Sequence, residues 1–88
     1  VDLDLADNQI ENIDSVSNLK NLTRLRLLGN NIRSLKPIVG LPRLEFLNFS
    51  ENQIKDVSAV STLPKIRVVH YQDNPIKDYT PLKRFMPQ

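Results

Sequence analysis

Apolar residues recur along the chain at a fixed interval of 22 residues, and four stretches align without gaps. A period of this length is typical of repeat architectures, in which each repeat buries its apolar face against its neighbours. The sequence therefore predicts one shared core that no single repeat can form alone. The predicted repeats are 1–22, 23–44, 45–66 and 67–88. Two of the apolar columns are Leu3, Leu25, Leu47 and Val69, and Leu5, Leu27, Phe49 and Tyr71.

Each repeat combines two apolar spacings. In the second repeat, Leu25 and Leu27 alternate with Arg24 and Arg26, which predicts a β-strand with one buried face. After Ile32 the apolar residues fall at every third position. That spacing suits turns and short 3-10 segments better than an α-helix.

The prolines agree with this division. Pro37 and Pro81 suit the first turn of a short helical segment, where the missing N–H costs nothing. Pro42 lies five residues after Pro37, and Pro64 lies five residues after position 59, the equivalent of Pro37 in the third repeat. Both are expected to end the helical segment. The 17 residues 29–45 are enough for a crossover between parallel strands. We therefore predict an α/β solenoid with a parallel sheet on one side and 3-10 or turn segments on the other.

A column of asparagines accompanies the apolar columns: Asn8, Asn30, Asn52 and Asn74. Each stands where the strand turns inward and backbone groups lose their partners in the sheet. An Asn amide offers two donors and an acceptor, so it can satisfy such groups within and between repeats. The column is therefore predicted to be buried and hydrogen-bonded.

The pattern Leu25-x-Leu27-x-x-Asn30-x-Ile32-x-x-Leu35 resembles the leucine-rich repeat, and the 22-residue length resembles its short class. That class includes protein phosphatase 1 regulators, dynein and ciliary subunits, centrosomal scaffolds and bacterial internalins. The resemblance covers all 88 residues. It implies a right-handed solenoid with a parallel sheet on the concave side, where partners usually bind.

The two ends of the chain depart from the pattern. The fourth repeat carries Asn74-Pro75, and its later proline, Pro87, lies one column beyond Pro42 and Pro64. This resembles the closing repeat of intracellular members, although an ordinary repeat with a shifted proline fits equally well. The first repeat begins within its strand and has no cap, so we expect residues 1–88 to be a fragment of a longer protein.

Composition narrows the function classes. Hydrophobic residues make up 40% and charged residues 25% of the chain, an ordinary soluble composition. No apolar run approaches the roughly 18 residues of a membrane span, so no membrane partner is predicted. There are no cysteines, which excludes disulfides and cysteine-ligated metals and fits a reducing compartment such as the cytoplasm. The two glycines cannot form a phosphate-binding loop.

Charge is distributed unevenly among the repeats, although the net charge is only +2. The first repeat sums to −4, the second to +5, the third to −1 and the fourth to +2. Acidic side chains stand one repeat before basic ones, so we expect ion pairs between repeats rather than a phosphate-binding patch. No nucleic-acid partner is therefore predicted. The expected pairs are Asp2–Arg24, Asp4–Arg26, Glu11–Arg33 and Asp14–Lys36.

The solvent-facing positions of the strands supply the candidate binding site. Phe46 is the sharpest candidate, because a large exposed aromatic beside Val68 is typical of an interface hot spot. The alternative is a Phe that folds over Arg24 as a cation–π neighbour. The predicted partner-binding residues are Arg24, Arg26, Phe46, Asn48, Val68 and His70.

No catalytic, metal or cofactor site is predicted. His70 is the only histidine, and no Ser or Cys is placed beside it as a nucleophile. Asp2 and Asp4 lie beside arginines in the predicted register, and no further ligand converges on them. We therefore expect a protein that is not an enzyme.

The function expected from the resemblance is a non-catalytic protein–protein interaction module, a scaffold or regulatory subunit of the cytoplasm. The implied partners are a phosphatase, a small GTPase, or a cytoskeletal, ciliary or centrosomal component. A bacterial surface adhesin of the internalin type is one alternative, since those repeats resemble residues 52–58, NQIKDVS. The other is a substrate-binding platform for an enzyme whose catalytic domain lies outside this segment.

Overall fold

Four three-residue strands recur at the predicted interval in the computed structural model, which describes residues 1–86. Pro87, on which the shifted-proline argument rested, and Gln88 lie outside the described residues. The strands form one sheet in chain order, and all three neighbouring pairs are parallel. The strands are β1 (Asp2–Asp4), β2 (Arg24–Arg26), β3 (Phe46–Asn48) and β4 (Val68–His70).

The strand register follows the 22-residue period. The central residues of the strands are paired in the order Leu3, Leu25, Leu47 and Val69, and their side chains point into the core. The flanking residues point to solvent, because side chains of a strand alternate between its two faces. We call this solvent-facing side of β1–β4 the concave face. The fold is therefore the predicted leucine-rich-repeat solenoid.

A short 3-10 helix follows each strand, as the spacing of three predicted. Pro37 and Pro81 each stand in the first turn of one of these helices, and no helix includes Pro42 or Pro64. Pro37 and Pro81 therefore stand where predicted, while the helices before Pro42 and Pro64 already end at Ile38 and Thr62. The helices are η1 (Asp14–Asn18), η2 (Lys36–Ile38), η3 (Ser58–Thr62) and η4 (Thr80–Phe85).

A polar side chain precedes each 3-10 helix and accepts the N–H of its first residue. Asp56 Oδ1 lies 2.8 Å from the nitrogen of Ser58, and Asp78 Oδ1 lies 2.9 Å from that of Thr80. Asn12 and Ser34 occupy the equivalent positions and accept at 2.7 and 3.1 Å. These bonds satisfy backbone donors that the helix itself leaves without a partner.

The core is a continuous apolar column between the sheet and the 3-10 helices. Leu25, Leu27, Ile32 and Phe49 are fully buried in it. The first repeat is less complete: Leu3, Leu5 and Ile10 pack against the core but remain partly exposed. Leu19 is 42% exposed, whereas Leu41, its equivalent in the second repeat, is 1% exposed. Stacking between repeats is thus what buries each one.

The asparagine column behaves as predicted in the middle of the solenoid. Asn52 is 3% exposed, and its Oδ1 accepts the N–H of Ile32, in the preceding repeat, at 3.0 Å. Its Nδ2 donates to the carbonyl oxygens of Leu27, Phe49 and Ser50 at 2.9, 3.0 and 3.1 Å. One side chain thus joins two repeats through the backbone of each.

Asn30 and Asn74 make the same set of bonds one repeat earlier and one repeat later, although Asn74 is only half-buried. Asn8 differs, because residues 1–86 contain no earlier repeat for its side chain to join. It is exposed and donates only to the carbonyl oxygens of Leu5 and Ala6, so the prediction of burial is wrong at this position.

Candidate protein-binding face

All six predicted partner-binding residues lie on the concave face, in two rows across the strands. The register places Arg24, Phe46 and Val68 opposite one another in one row. It places Arg26, Asn48 and His70 in the other. Both arginines, His70 and Val68 are exposed, while Phe46 and Asn48 are half-buried. The structure therefore brings these residues together.

Phe46 stands at the centre of this group. The guanidinium carbon of Arg24 lies 4.6 Å from the centre of the Phe46 ring, and that of Arg26 lies 5.4 Å from it. The imidazole of His70 lies against the ring with 5.5 Å between centroids and 55° between planes. The cation–π contact with Arg24, which was the alternative to an interface hot spot at Phe46, is therefore present, and Arg26 makes a second one.

These ring contacts favour one placement of each arginine side chain. An exposed arginine normally samples many rotamers, and holding it in one of them costs entropy on binding. On the concave face the ring of Phe46 already supports both guanidinium groups, and Asn48 is fixed by accepting the N–H of Ser50 at 3.0 Å. These contacts thus reduce the conformational freedom that the two arginines would lose when a partner binds. We call Arg24, Arg26, Phe46 and His70 the aromatic platform.

Three of the four predicted ion pairs are wrong. Among residues 1–86, the carboxylate of Asp2 lies 3.9 Å from Arg24, but no pair within 4.0 Å joins Asp4 to Arg26. Asp4 Oδ1 instead accepts the N–H of Ala6 at 3.0 Å, and the Arg26 guanidinium lies over Phe46.

The other two incorrect pairs are Glu11–Arg33 and Asp14–Lys36. All four of these side chains are exposed. Water and salt screen exposed charges. The attraction within each pair is therefore too weak to offset the entropy lost when two long side chains are held in one conformation. Opposite charge in neighbouring repeats was therefore an insufficient signal.

A cleft of about 360 Å³ adjoins the aromatic platform, on the side where the strands begin. Its wall includes an ion pair in which Arg67 Nη1 lies 3.8 Å from Glu45 Oε1. Sequence reasoning missed this pair, although Glu45 and Arg67 share one 22-residue column. The lining residues are Thr23, Arg24, Glu45, Phe46, Arg67 and Val68.

The described residues contain no group of three or more His, Cys, Asp or Glu side chains that could hold a metal ion. His70 contacts the ring of Phe46 rather than a nucleophile. Within residues 1–86, no helix has the length and apolar character needed to cross a bilayer.

Comparisons with known proteins match this architecture. A family model described as Leucine Rich repeats (2 copies) matches residues 2–40. Internalin C2 from Listeria monocytogenes superimposes with a TM-score of 0.87 and 35% sequence identity, over 91% of this chain and 35% of its own. A second internalin from that organism, inlF, gives a TM-score of 0.82 and 35% identity, over 89% of this chain and 23% of its own. No match was found among curated protein sequences.

Proposed function

Because the chain belongs to the leucine-rich-repeat family, we propose that it is a non-catalytic module that binds a protein partner through its concave face. The observation that carries this proposal is the aromatic platform, in which two cations and an imidazole surround the Phe46 ring. Arginine and aromatic residues are enriched at the centres of protein interfaces. Val68, which is 42% exposed, adds apolar area beside the platform.

The chemistry of the face favours protein over nucleic acid. The acidic residues Asp2 and Asp4 lie on the strand next to Arg24 and Arg26. A phosphate backbone that crossed the sheet would be repelled there, and the net charge of +2 gives little long-range attraction. The partner classes implied by the resemblance remain a phosphatase, a small GTPase and a cytoskeletal or centrosomal component, with the cytoplasm as the proposed location.

A surface adhesin of the internalin type is the second candidate function. Identity of 35% to two internalins over about nine-tenths of this chain favours it. The chain spans 35% and 23% of those proteins, so the activity of the whole molecule is a proposal in either case. A secretion signal in the full-length gene would favour the adhesin. A catalytic motif in flanking sequence would favour the third candidate, an enzyme's substrate platform.

A pair of double variants tests the binding proposal. Phe46→Ala with Arg26→Glu removes the ring and reverses a charge on the concave face. Lys36→Glu with Val39→Ala makes the same two kinds of change on the opposite side, where both residues are exposed. Immobilised wild-type chain and both variants are incubated with lysate, and the captured proteins are identified by mass spectrometry.

We expect proteins that bind to the wild type and to the Lys36/Val39 variant to be absent from the Phe46/Arg26 variant. Circular dichroism of both variants should match the wild type, since none of the four side chains belongs to the fully buried core. Equal capture by all three proteins would contradict the proposal and place the binding surface elsewhere.

A further inference from the structure

The concave face changes chemistry in a fixed order from one strand to the next. β1 presents Asp2 and Asp4, and β2 presents Arg24 and Arg26. β3 then presents the ring of Phe46, and β4 presents the exposed Val68. A partner that lies along the row of Asp2, Arg24, Phe46 and Val68 therefore meets acid, base and apolar surface in that sequence, while the other row is polar at Asn48 and His70.

The basic strand retains capacity to bind an acid. Among residues 1–86, Arg26 has no carboxylate within 4.0 Å, and Arg24 has only Asp2, at 3.9 Å and in solvent. A guanidinium has five N–H donors, and a carboxylate satisfies them far better than the face of an aromatic ring does. A partner carboxylate at β2 would thus gain charge-assisted bonds to arginines whose guanidinium carbons lie 4.6 and 5.4 Å from the centre of the Phe46 ring.

The strand spacing selects the conformation of the partner. Neighbouring strands lie about 4.8 Å apart. An α-helix that crosses them advances about 5.4 Å per turn, so its side chains at positions i, i+3 or i+4, and i+7 meet successive strands. In an extended segment, side chains point to the same side only about every 6.6 Å. They therefore lose register with strands about 4.8 Å apart by the third strand.

We infer that the partner segment is an amphipathic α-helix that presents a basic, then an acidic, then two apolar side chains on successive turns, read from β1 to β4. This inference rests on the proposed function and adds the chemistry of the bound segment. The basic side chain pairs with Asp2 and Asp4, the acidic one with Arg24 and Arg26, and the apolar ones pack on Phe46 and Val68. Opposite charges across an interface set the register, because a shifted helix brings like charges together.

Stapled helical peptides of identical composition test this order. The ordered peptide carries Lys, Glu, Leu and Leu on successive turns of one face, and the permuted peptide exchanges Lys and Glu. Each is made in both chain directions, since a helix can cross the sheet either way. Affinity for the whole 88-residue chain is measured by fluorescence anisotropy at low salt.

Of the two ordered peptides, one for each chain direction, we expect the one with the higher affinity to bind at least about tenfold more tightly than either permuted peptide. A chain with Asp2→Lys, Asp4→Lys, Arg24→Glu and Arg26→Glu exchanges the charges of the two strands and should reverse that preference. The Lys36→Glu variant serves as the control and should keep the wild-type preference.

Equal affinity for ordered and permuted peptides would overturn the inference, as would the absence of binding by every peptide at about 1 mM. Neither result touches the proposed function, which the capture experiment tests with natural partners. A preference that the wild-type chain shows and the charge-exchanged chain reverses would establish the order directly.

Discussion

The Oδ1 atom of Asn52 lies 3.0 Å from the backbone nitrogen of Ile32, twenty residues earlier in the chain, and accepts its N–H. The same side chain donates to Leu27, twenty-five residues earlier, at 2.9 Å. Asparagine is needed here because its planar amide group supplies an acceptor for an N–H of the preceding repeat and donors for carbonyl groups of both repeats.

Removing this amide should destabilise the fold. In Asn52→Ala, the N–H of Ile32 and the carbonyl groups that Nδ2 satisfied lose their partner in a buried site. We expect the free energy of unfolding to fall by about 1–3 kcal/mol, the usual cost of a buried unsatisfied group. Urea denaturation followed by circular dichroism measures the change.

Asn8→Ala is the matched control, because Asn8 occupies the same column but is exposed and bonds only to its own repeat. Its effect should be about 0.5–1 kcal/mol at most. If the two variants lost equal stability, the asparagines would not join the repeats in the way described.

The asparagine column shows how far the sequence alone could lead. The interval of 22 residues fixed the register of Leu3, Leu25 and Leu47 and the role of Asn30 and Asn52, because burial and backbone satisfaction leave few alternatives. The ion pairs were not predictable in the same way. Exposed charges such as Glu11 and Arg33 are nearly free to move, so proximity along the solenoid does not decide their contacts.

Two further columns carried a signal that sequence reasoning left unused. One is the series of polar residues that accept an N–H at the start of each 3-10 helix. The other consists of residues with positive φ immediately before each column asparagine: Asp7, Gly29, Glu51 and Asp73, at 59°, 72°, 57° and 61°. Only Gly29 among them is a glycine, the residue type that most strongly indicates a positive φ, so the sequence did not reveal this column.

Glycine at one of these positions should stabilise the protein. Glu51 adopts φ 57°, a conformation that costs a residue with a Cβ roughly 1–2 kcal/mol, while glycine's added freedom in the unfolded chain offsets about 0.5–1 kcal/mol. We therefore expect Glu51→Gly to raise the free energy of unfolding by up to about 1 kcal/mol. The control, Gln53→Gly, changes an exposed residue without positive φ and should lower it by about 0.5–1 kcal/mol.

Thermal denaturation of both variants distinguishes the two effects. A melting temperature that falls for Glu51→Gly as much as for Gln53→Gly would show that the backbone at residue 51 is not left-handed. Gly29→Ala should lower the melting temperature, because Gly29 adopts φ 72°, a conformation that strains a residue with a Cβ.

Acid should weaken two of the 3-10 helix starts. The backbone N–H and hydroxyl of Ser58 hold the pKa of Asp56 below its usual value, and the hydroxyl and backbone N–H of Thr80 do the same for the pKa of Asp78. Because the folded state holds these protons less tightly, the contribution is fully present above the unfolded pKa of about 4. It is lost as pH falls through the lower folded pKa.

The Asp56→Asn, Asp78→Asn double variant isolates this effect. The amide oxygen of an asparagine accepts the same N–H, as that of Asn12 does in the first repeat. Unlike a carboxylate, it does not titrate. The stability of the wild type relative to this variant should decline between about pH 5 and pH 2, as measured by denaturant unfolding. A difference that stays constant over that range would rule out the two carboxylates as the cause.

Photo-crosslinking at two positions tests the central claim, that partners bind the concave face. Benzoylphenylalanine replaces Phe46, at the centre of the aromatic platform, or Val39, which is 49% exposed beside η2 on the opposite side. We expect irradiation to join a partner to the chain at residue 46 and not at residue 39. Crosslinks that form at residue 39 and not at residue 46 would contradict it.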